Sequence, residues 1–590
     1  MLGQAREAGW PGARIARATL VDGGPPRVDF LAERQRCPQC GQAMDRQKSK
    51  TRTLLTLAAG PLRAREIRKQ CRSCPPRPVA ASRQLAALAP PGQRYGYDLI
   101  AWVGLARYLR HLQREEIRTA LARRGLLLSA GSVSALCDRF LTALEALHWQ
   151  CAPALRAAMP RGYPLHIDAT CDKGKGGTFL CLAGWNGWVL HAVRVDSENA
   201  RELGPAVERT LAAFGDPLAV MRDLGRAGAR AVASCRQRGI PDLLCHFHFL
   251  ARVGRKLLYG HYAALRSQIS RSRARSQLRD LLRAARAARR VRPDLPALLL
   301  WVLEGEGRKH LPYPFALPHL DFFRRCAQFP RERERRLPPP RTRAERRLLR
   351  RAAQAVAALQ RLHAEDGAAD RLDHSWTQFC ALRSVLRLSK AELPRGARPA
   401  GSLRPRPEQA AARLQAIASD LQRYRKRLRQ RIGTASAKRL GSTRPERIIL
   451  RYLDRYGDGL CGHPVARDAA GRAVAVVDRT NNVIEQFFGR AKQGLRRRVG
   501  RAHLGRDMED QPAQAALAAN LRHPGYVQIL CGTLEQLPQA FAQLDRRTFS
   551  GPSRLRRKNR DADLRRRNRE WAKKDQQHPP QTAENSSPIR

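Results

Sequence analysis

The spacing of apolar positions changes twice along the chain, and each change predicts a different kind of structure. From about residue 160 to 255, short apolar runs of the strand type alternate with amphipathic stretches of the helical type. The strand-like runs are PLHIDATCD, TFLCLAGWNG, WVLHAVRVD, PLAVMRD and PDLLCHFHF. A helical stretch follows each of the last three runs, so this part predicts the element order β-β-β-α-β-α-β-α.

Before residue 160 and after residue 255, the spacing of apolar residues is mainly that of helices. Before it, apolar spacing predicts a helix from Tyr95, a second helix ending at Gly125, and a third beginning near Ser129–Ser132, where serine is a natural N-cap. From about 256 onward the strand signal disappears, and helical stretches alternate with proline clusters. A hairpin over HPVARDAAGRAVAVVD and a basic helix within RTNNVIEQFFGRAKQGLRRRVGRA are predicted next.

Composition indicates what this chain binds. Among 590 residues, Lys and Arg number 111 and Asp and Glu number 51, which gives a net charge of +60. Codon bias in a GC-rich genome explains Arg over Lys, but it does not explain a twofold excess of cations, so we expect a nucleic-acid partner. Apolar runs fall short of the ~20 residues of a membrane span, and the N-terminus lacks a secretory apolar region. We therefore expect a cytoplasmic, nucleoid-associated protein.

Two Cys-x2-Cys pairs near the N-terminus have the spacing of a metal knuckle. They are Cys37 with Cys40 and Cys71 with Cys74, separated by 30 residues. Four thiolates around one Zn2+ form a closed tetrahedral site without an open position for substrate, so the expected role is structural. The alternative is four ordinary buried thiols.

The helical pair at 114–147 resembles a helix-turn-helix. Its second helix, beginning at Ser132, would enter a major groove of DNA. An ordinary helical hairpin remains the alternative, because the connection is longer than in the tightest helix-turn-helix units.

Two aspartates end strands of the predicted α/β segment. Asp168 ends the first strand in LHIDAT, and Asp223 ends the fourth strand in AVMRDLG. In a ribonuclease-H-like sheet the first and fourth strands are neighbours, so both carboxylates are expected at one edge. Carboxylates placed in this way hold Mg2+ or Mn2+ ions for displacement at phosphorus. Asp172 is a rival for Asp168.

A third carboxylate is expected from a later helix, and Glu485 fits that role. It follows RTNN, in which Asn481 or Asn482 is a candidate helix cap. Glu304 and Glu306 are rivals, but a basic helix does not follow them. Cations beyond Glu485 are candidates for binding DNA phosphates: Arg490, Lys492, Arg496, Arg497, Arg498 and Arg501.

Together these signals predict a multidomain α/β protein whose ribonuclease-H-like core is interrupted by an all-α insertion. The expected segments are a zinc-ribbon-like domain, a helix-turn-helix domain, the first part of the core, the insertion, the second part of the core with the Glu485 helix, and a basic tail expected to be poorly ordered. Their bounds are 1–80, 95–150, 160–255, 256–460, 461–545 and 546–590.

The segments LHIDAT, VMRDLG, CHFHF and RTNNVIEQFFGRAKQGLRRRVG resemble the catalytic core of DDE transposases from prokaryotic insertion sequences. The resemblance is to a branch with a long helical insertion and a Cys-x-x-His, matched here by Cys245 and His248. A zinc ribbon followed by a helix-turn-helix is also similar to that group. The resemblance covers about 37–255 and 460–505, and the insertion is matched only by composition and place.

The resemblance implies DNA strand cleavage at the ends of an insertion element, then strand transfer into target DNA by a homo-oligomer. It assigns the metal-binding catalytic triad to Asp168, Asp223 and Glu485. Cys245 and His248 would either support the active site by packing and hydrogen bonding or bind metal. The alternatives are a non-catalytic element-derived DNA-binding protein and a ribonuclease-H-like nuclease that does not join strands.

Overall fold

The computed structural model describes residues 16–19, 25–170, 177–288, 291–305, 311–388, 406–434 and 443–549. The chain divides into two compact units: Met1–Asp242 with Asn481–Arg590, and Leu243–Thr480. Both strands and helices occur, and helices predominate. Asp172, Glu306 and most of the predicted basic tail lie outside the described residues.

A small sheet begins the first unit. Its strands are β1 (Ala16–Thr19), β2 (Arg27–Leu31), β3 (Asp45–Thr56), β4 (Gly60–Gln70) and β5 (Val79–Ala80). The order is β1-β2-β4-β3, with β5 paired to β4, and β3 and β4 form an antiparallel hairpin. Helix α1 (Arg83–Leu88) covers the hairpin through Leu85, which packs with Phe30, Leu54 and Leu62.

The predicted helical segment before the α/β part folds as a layer on the core. It contains α2 (Tyr97–Gly104), a π-helical turn (Leu105–Leu109), α3 (Arg114–Ala122), α4 (Ala130–Gln150) and α5 (Ala152–Ala157). The third predicted helix, α4, begins at Ala130 with Ser129 as its N-cap. The buried face of α4, including Phe140 and Leu144, belongs to one hydrophobic cluster with the central sheet.

The central sheet has five strands in the order β10-β9-β6-β7-β8. They are β6 (Pro164–Thr170), β7 (Gly177–Ala183), β8 (Trp188–Val195), β9 (Ala219–Arg222) and β10 (Asp242–Leu244). Strand β7 pairs antiparallel with β6 and β8, whereas β6 and β9 are parallel. Helix α6 (Ala200–Phe214) follows β8, and α7 (Arg226–Ala231) and α8 (Ala233–Gln237) follow β9. This is the predicted alternation of strands and helices.

In its described residues the second unit is helical apart from the last two residues of β10 and one small hairpin. From about residue 256 the sequence predicted helices without strands, and the structure has helices there. The apolar run Pro296–Leu303 lies in a helix with buried leucines. These helices are α9 (His246–Arg271), α10 (Ala274–Ala287), α11 (Asp294–Glu304), α12 (Pro318–Arg336), α13 (Arg343–Asp366), α14 (Ala368–Val385), α15 (Pro407–Gly433) and α16 (Arg444–Tyr456). After a 3-10 turn, β11 (Val465–Arg467) and β12 (Ala473–Val476) form the predicted hairpin.

The chain then returns to the first unit through α17 (Asn482–Val499) and α18 (Gly505–Asp510). A 3-10 helix (Ala513–Arg522), α19 (Pro524–Cys531), α20 (Leu537–Ala542) and short 3-10 turns follow. The Asn520 side chain pairs with both backbone groups of Val189 at 2.8 Å, so it satisfies part of the free edge of β8. None of the described helices is long and apolar enough to cross a membrane.

Candidate active site and cysteine cluster

Strand β6 carries Asp168 at the end where its burial decreases. Residues up to Ile167 are buried, and Asp168 is half-buried. Because side chains alternate along a strand, His166, Asp168 and Thr170 share one face. The Oδ1 atom of Asp168 accepts a 2.8 Å hydrogen bond from the Ala169 N–H, which holds the carboxylate close to the backbone.

Asp223 directly follows β9, the parallel neighbour of β6. The register pairs His166 with Met221, so Asp168 and Asp223, each two residues further on, lie level at the same sheet edge. The Gly225 N–H donates to Asp223 Oδ1 at 2.8 Å. This arrangement follows from the strand-end positions that the sequence predicted.

A buried ion pair fixes the strand that precedes Asp223. Arg222 donates through Nε and Nη2 to the two Asp242 oxygens at 2.7 and 2.8 Å, in a bidentate arrangement. Its Nη1 also donates to the Asp223 carbonyl at 2.8 Å. The guanidinium therefore connects β9 to β10 and restrains the backbone of the candidate ligand.

Helix α17 brings Glu485 to β6 through a buried polar contact. His166 Nδ1 lies 2.8 Å from Asn481 Oδ1, and Asn481 Nδ2 donates to the Ile167 carbonyl at 3.2 Å. Asn481 is the N-cap residue, but its side chain bonds the strand and not the first turn of the helix. His166 was not among the predicted site residues; its place two residues before Asp168, on the same strand face, was the signal.

Electrostatics connect the three predicted carboxylates. Burial, followed by the charge of Asp223 and smaller effects of Glu485 and Glu198, raises the pKa of Asp168 to about 8. Burial raises the pKa of Glu485 to about 7. The carboxylates thus lie near one another in a poorly solvated place, where a bound cation would favour their ionised forms.

Glu198 is a further acidic group at this edge. The residue is exposed. Partial burial of the carboxylate and the charge of Asp223 nevertheless raise the pKa of Glu198. Glu198 therefore borders the site without being enclosed by it.

The four N-terminal cysteines form a compact cluster. Sγ of Cys37 lies 3.9 Å from that of Cys74, and Sγ of Cys40 lies 3.6 Å from that of Cys71. A tetrahedron with Zn–S bonds of about 2.3 Å has edges of about 3.8 Å, so this cluster has the dimensions of a zinc site. Burial acts to raise the pKa of Cys37, but the N–H groups of Cys40 and Gln39 lower it to about 7. The cluster can hold a metal ion.

The triad has a different geometry from the cysteine cluster. Among the described residues, the cysteines are the only group of three or more candidate ligands with all donor atoms within 4.8 Å of one another. The carboxylates of Asp168, Asp223 and Glu485 therefore do not all converge on the position of one ion.

Cys245 and His248 lie in the second unit, at the start of α9. Cys245 is fully buried and precedes the first helical residue, His246, whose Nε2 lies 2.8 Å from the Leu460 carbonyl oxygen. Within the described part of the chain they belong to no cluster of three or more metal ligands. Their predicted support of the active site stays a prediction.

The predicted DNA-binding cations differ in exposure. Arg490, Arg496, Arg497 and Arg501 are exposed, Lys492 is half-buried and Arg498 is buried. Arg497 pairs with Glu116 at 2.6 Å, and Arg501 pairs with Asp507 at 3.3 Å. Arg490 and Arg496 therefore remain the most accessible candidates for contacting a DNA backbone.

Ser132 lies in the first turn of α4. Its N–H donates to the Ser129 cap at 3.1 Å, and the two hydroxyl oxygens are 3.0 Å apart. The C-terminal half of this long helix is anchored by His148, which contacts the Leu190 carbonyl and the Tyr526 hydroxyl at 2.8 Å. Only the first turns of α4 are therefore placed for the predicted contact with DNA.

Neither a protein-family model nor a curated protein matches this sequence. The geometry of the residues themselves has to carry any functional conclusion.

Proposed function

We propose that this protein is a DDE-type DNA transposase that cleaves and joins DNA at the ends of an insertion element. The observation that carries the proposal is the meeting of three carboxylates at one sheet edge. Asp168 lies near the end of β6, and Asp223 directly follows the parallel strand β9. Glu485 lies in the first turn of a helix whose N-cap residue contacts β6 through His166. Like charges held together in a poorly solvated site are typical of catalytic metal centres.

The strand order supports a ribonuclease-H-like core. Strands β6, β7 and β8 form an antiparallel meander. Strand β9 pairs in parallel with β6, the first strand of that meander, and β10 follows β9 at the edge of the sheet. In open sheets of this kind, chemistry occurs where the carboxyl ends of adjacent parallel strands meet. That edge is the position of Asp168 and Asp223.

The donor set fits two divalent cations of the magnesium type. Oxygen ligands, few protein groups and room for water suit Mg2+ or Mn2+. Asp168, Asp223 and Glu485 are the residues that would hold these ions. When bound, such ions supply electrostatic stabilisation of the charge that develops at the scissile phosphate.

Charge supports DNA as the substrate. The net charge of +60 provides a sequence-independent attraction to phosphates. On α17, the exposed Arg490 and Arg496 follow Glu485 along the helix, so they would contact the backbone that flanks the scissile bond. The chain's own residues would thereby position the DNA, and the carboxylates would act at the phosphorus.

The cysteine cluster would bind one structural Zn2+ in this proposal. Its thiolates occupy all four tetrahedral positions, so it would stabilise the small sheet of the first unit rather than take part in chemistry.

The test is cleavage of a DNA fragment carrying the sequences that flank the coding region, with Mg2+ present. Asp168→Asn, Asp223→Asn and Glu485→Gln should each lower the rate at least about a hundredfold. Asp196→Asn, which removes an exposed carboxylate from the same unit, should cleave like the wild type. Normal cleavage by the three variants would refute the triad, and cleavage without joining to a second duplex would indicate a nuclease.

A further inference from the structure

A cavity of about 220 Å3 lies in the first unit. Aromatic and aliphatic side chains form much of its wall, among them Tyr108, Leu180, Phe487, Phe488 and Leu495. Cations supply the charged part of the lining, namely Arg490, Lys492, Arg498 and Arg522, and none of the lining residues that the structure describes is acidic. The cavity therefore fits a ligand with one flat apolar part and one anionic part.

The cavity adjoins the candidate active site. Thr170 lines it and shares a face of β6 with Asp168, two residues earlier. Phe488 and Lys492 also line it, and they follow Glu485 at intervals of three and seven residues, on the same side of α17. Two of the elements that position catalytic candidates, β6 and α17, therefore continue directly into the cavity wall.

Arg498 is the most unusual residue of the lining. Its side chain is buried, with 8% of the residue exposed, and its Nε atom has no hydrogen-bond partner. The guanidinium lies 5.1 Å from the centre of the Tyr108 ring, and Nη2 donates to Gln511 Oε1 at 2.5 Å. Among the described residues it has no carboxylate partner. A buried guanidinium without an anion is costly, and phosphate is the anion that its forked donors match best.

On the side of the cavity the charged neighbours of Arg498 are cations, whereas on another side Arg498 lines a second pocket with Asp138, Asp507 and Asp510. His111 contacts Arg522, and burial together with Arg522, Arg498 and Arg497 lowers the pKa of His111 to about 4. The imidazole is therefore neutral at physiological pH and does not add to the positive charge. Within the cavity the guanidinium groups of Arg490, Arg498 and Arg522 create a local potential that favours a phosphate.

The size of the cavity restricts its occupant. It is smaller than the roughly 300–1,000 Å3 of ordinary small-molecule sites, and a duplex does not fit into such a space. One nucleobase, removed from the stack of its neighbours, is flat and apolar enough for a wall of Tyr108 and Phe487.

We propose that this cavity holds one unstacked nucleotide of the DNA strand beside the scissile phosphate, with the base against the aromatic wall and a phosphate on Arg498. The position beside the scissile phosphate rests on the proposed function. The cavity itself and its preference for a phosphorylated nucleoside are independent of the proposed function.

Binding of a short fluorescein-labelled single-stranded oligonucleotide to the full chain, followed by anisotropy in magnesium-free buffer, tests the proposal. Arg498→Met keeps an apolar stem but removes the guanidinium, and Ala519→Phe fills the cavity from another lining position. Each should weaken single-strand binding about tenfold and change binding of a duplex by less than about twofold. Arg110→Gln is the matched control, because this exposed arginine lies beside His111 but outside the lining.

Single-strand binding by both variants at the strength of Arg110→Gln would overturn the proposal. Ala516→Phe replaces Arg498→Met if the latter fails to fold, as judged by circular dichroism. Competition by deoxynucleoside monophosphates as strong as that by the oligonucleotide would also overturn it, because the site would then serve free nucleotides.

The two proposals fail in different ways. If the wild type cleaves no DNA but the cavity variants lose single-strand binding, the transposase is refuted and the nucleotide site stands. If cleavage depends on Asp168, Asp223 and Glu485 but the cavity variants bind normally, only the nucleotide site is refuted.

Discussion

The two aspartates of the site are held by different local contacts. Asp223 accepts the Gly225 N–H at 2.8 Å, and a Cβ atom at position 225 would lie 2.9 Å from that same oxygen, so glycine is required for this approach. Asp168 instead bonds the next N–H along its own strand. Burial and neighbouring carboxylates raise the pKa of Asp168 to about 8, so the charge of this residue is poorly stabilised.

Asp168→Asn should therefore stabilise the protein in magnesium-free buffer. The folded state binds a proton at Asp168 more tightly than the unfolded state, so stability is lost as pH rises from the ordinary carboxyl pKa of about 4 towards 8. The free energy of unfolding of Asp168→Asn should exceed that of the wild type increasingly over this window, by at most about 1.4 kcal/mol per pH unit, and its melting temperature should rise accordingly.

The control for this pH dependence is Asp196→Asn, at an exposed carboxylate. Its melting temperature should follow the wild type at each pH. Addition of Mg2+ should raise the melting temperature of the wild type at pH 8 but not that of Asp168→Asn. A difference between Asp168→Asn and the wild type that is independent of pH would contradict the origin given for the raised pKa.

At the scale of elements, the position of α17 depends on Asn481. This residue joins the helix to β6 through His166 and the Ile167 carbonyl, and both contacts are buried. The side chain of an N-cap residue usually accepts a hydrogen bond from an N–H group in the first turn of its helix. The Asn481 side chain makes no such bond and contacts β6 instead.

Asn481→Ala should separate Glu485 from the aspartates. It leaves His166 and the Ile167 carbonyl without these partners, which costs about 2–4 kcal/mol for two buried hydrogen bonds. Cleavage should fall at least about tenfold at a temperature where the variant remains folded, with a weaker melting shift on addition of Mg2+. The matched control is Asn482→Ala, one residue further along. Equal losses in both variants would argue against a specific tie through Asn481.

The cysteine cluster packs beside the small N-terminal sheet, where Cys37 and Cys71 share a hydrophobic cluster with Ala32, Met44 and Ala80. Purified protein should release about one Zn2+ per chain on denaturation, and Cys40→Ser should release much less, because the closed site needs all four thiolates. Cys151→Ser, at a half-buried cysteine outside the cluster, should keep the metal. Zinc content unaffected by Cys40→Ser would rule out metal at this cluster.

At the scale of the whole molecule, the sequence predicted those features that depend on residues close together in the chain, such as the ends of strands and the start of a helix. Strand ends locate Asp168 and Asp223, and the basic helix after RTNN begins where expected. Contacts between distant segments were not accessible from the sequence. The His166–Asn481 bond spans 315 positions. Arg498 lies in a basic run of the sequence but is buried, and its guanidinium lies 5.1 Å from the centre of the Tyr108 ring of the π-helical turn. Secondary structure is visible in the spacing of apolar residues along the sequence, but a contact between two distant segments has no such pattern.

The excess of positive charge predicts how the whole chain responds to salt. If exposed cations on α17 neutralise DNA phosphates, duplex affinity should fall linearly on a double logarithmic plot against salt concentration. Arg490→Gln and Arg496→Gln should each make that slope shallower by about 0.9, the value for one lost phosphate contact. Arg335→Gln is the control, because this exposed arginine already pairs with Glu332 at 2.7 Å in the second unit. An unchanged slope in both α17 variants would place the DNA on another surface, even if the net charge of +60 still attracted it.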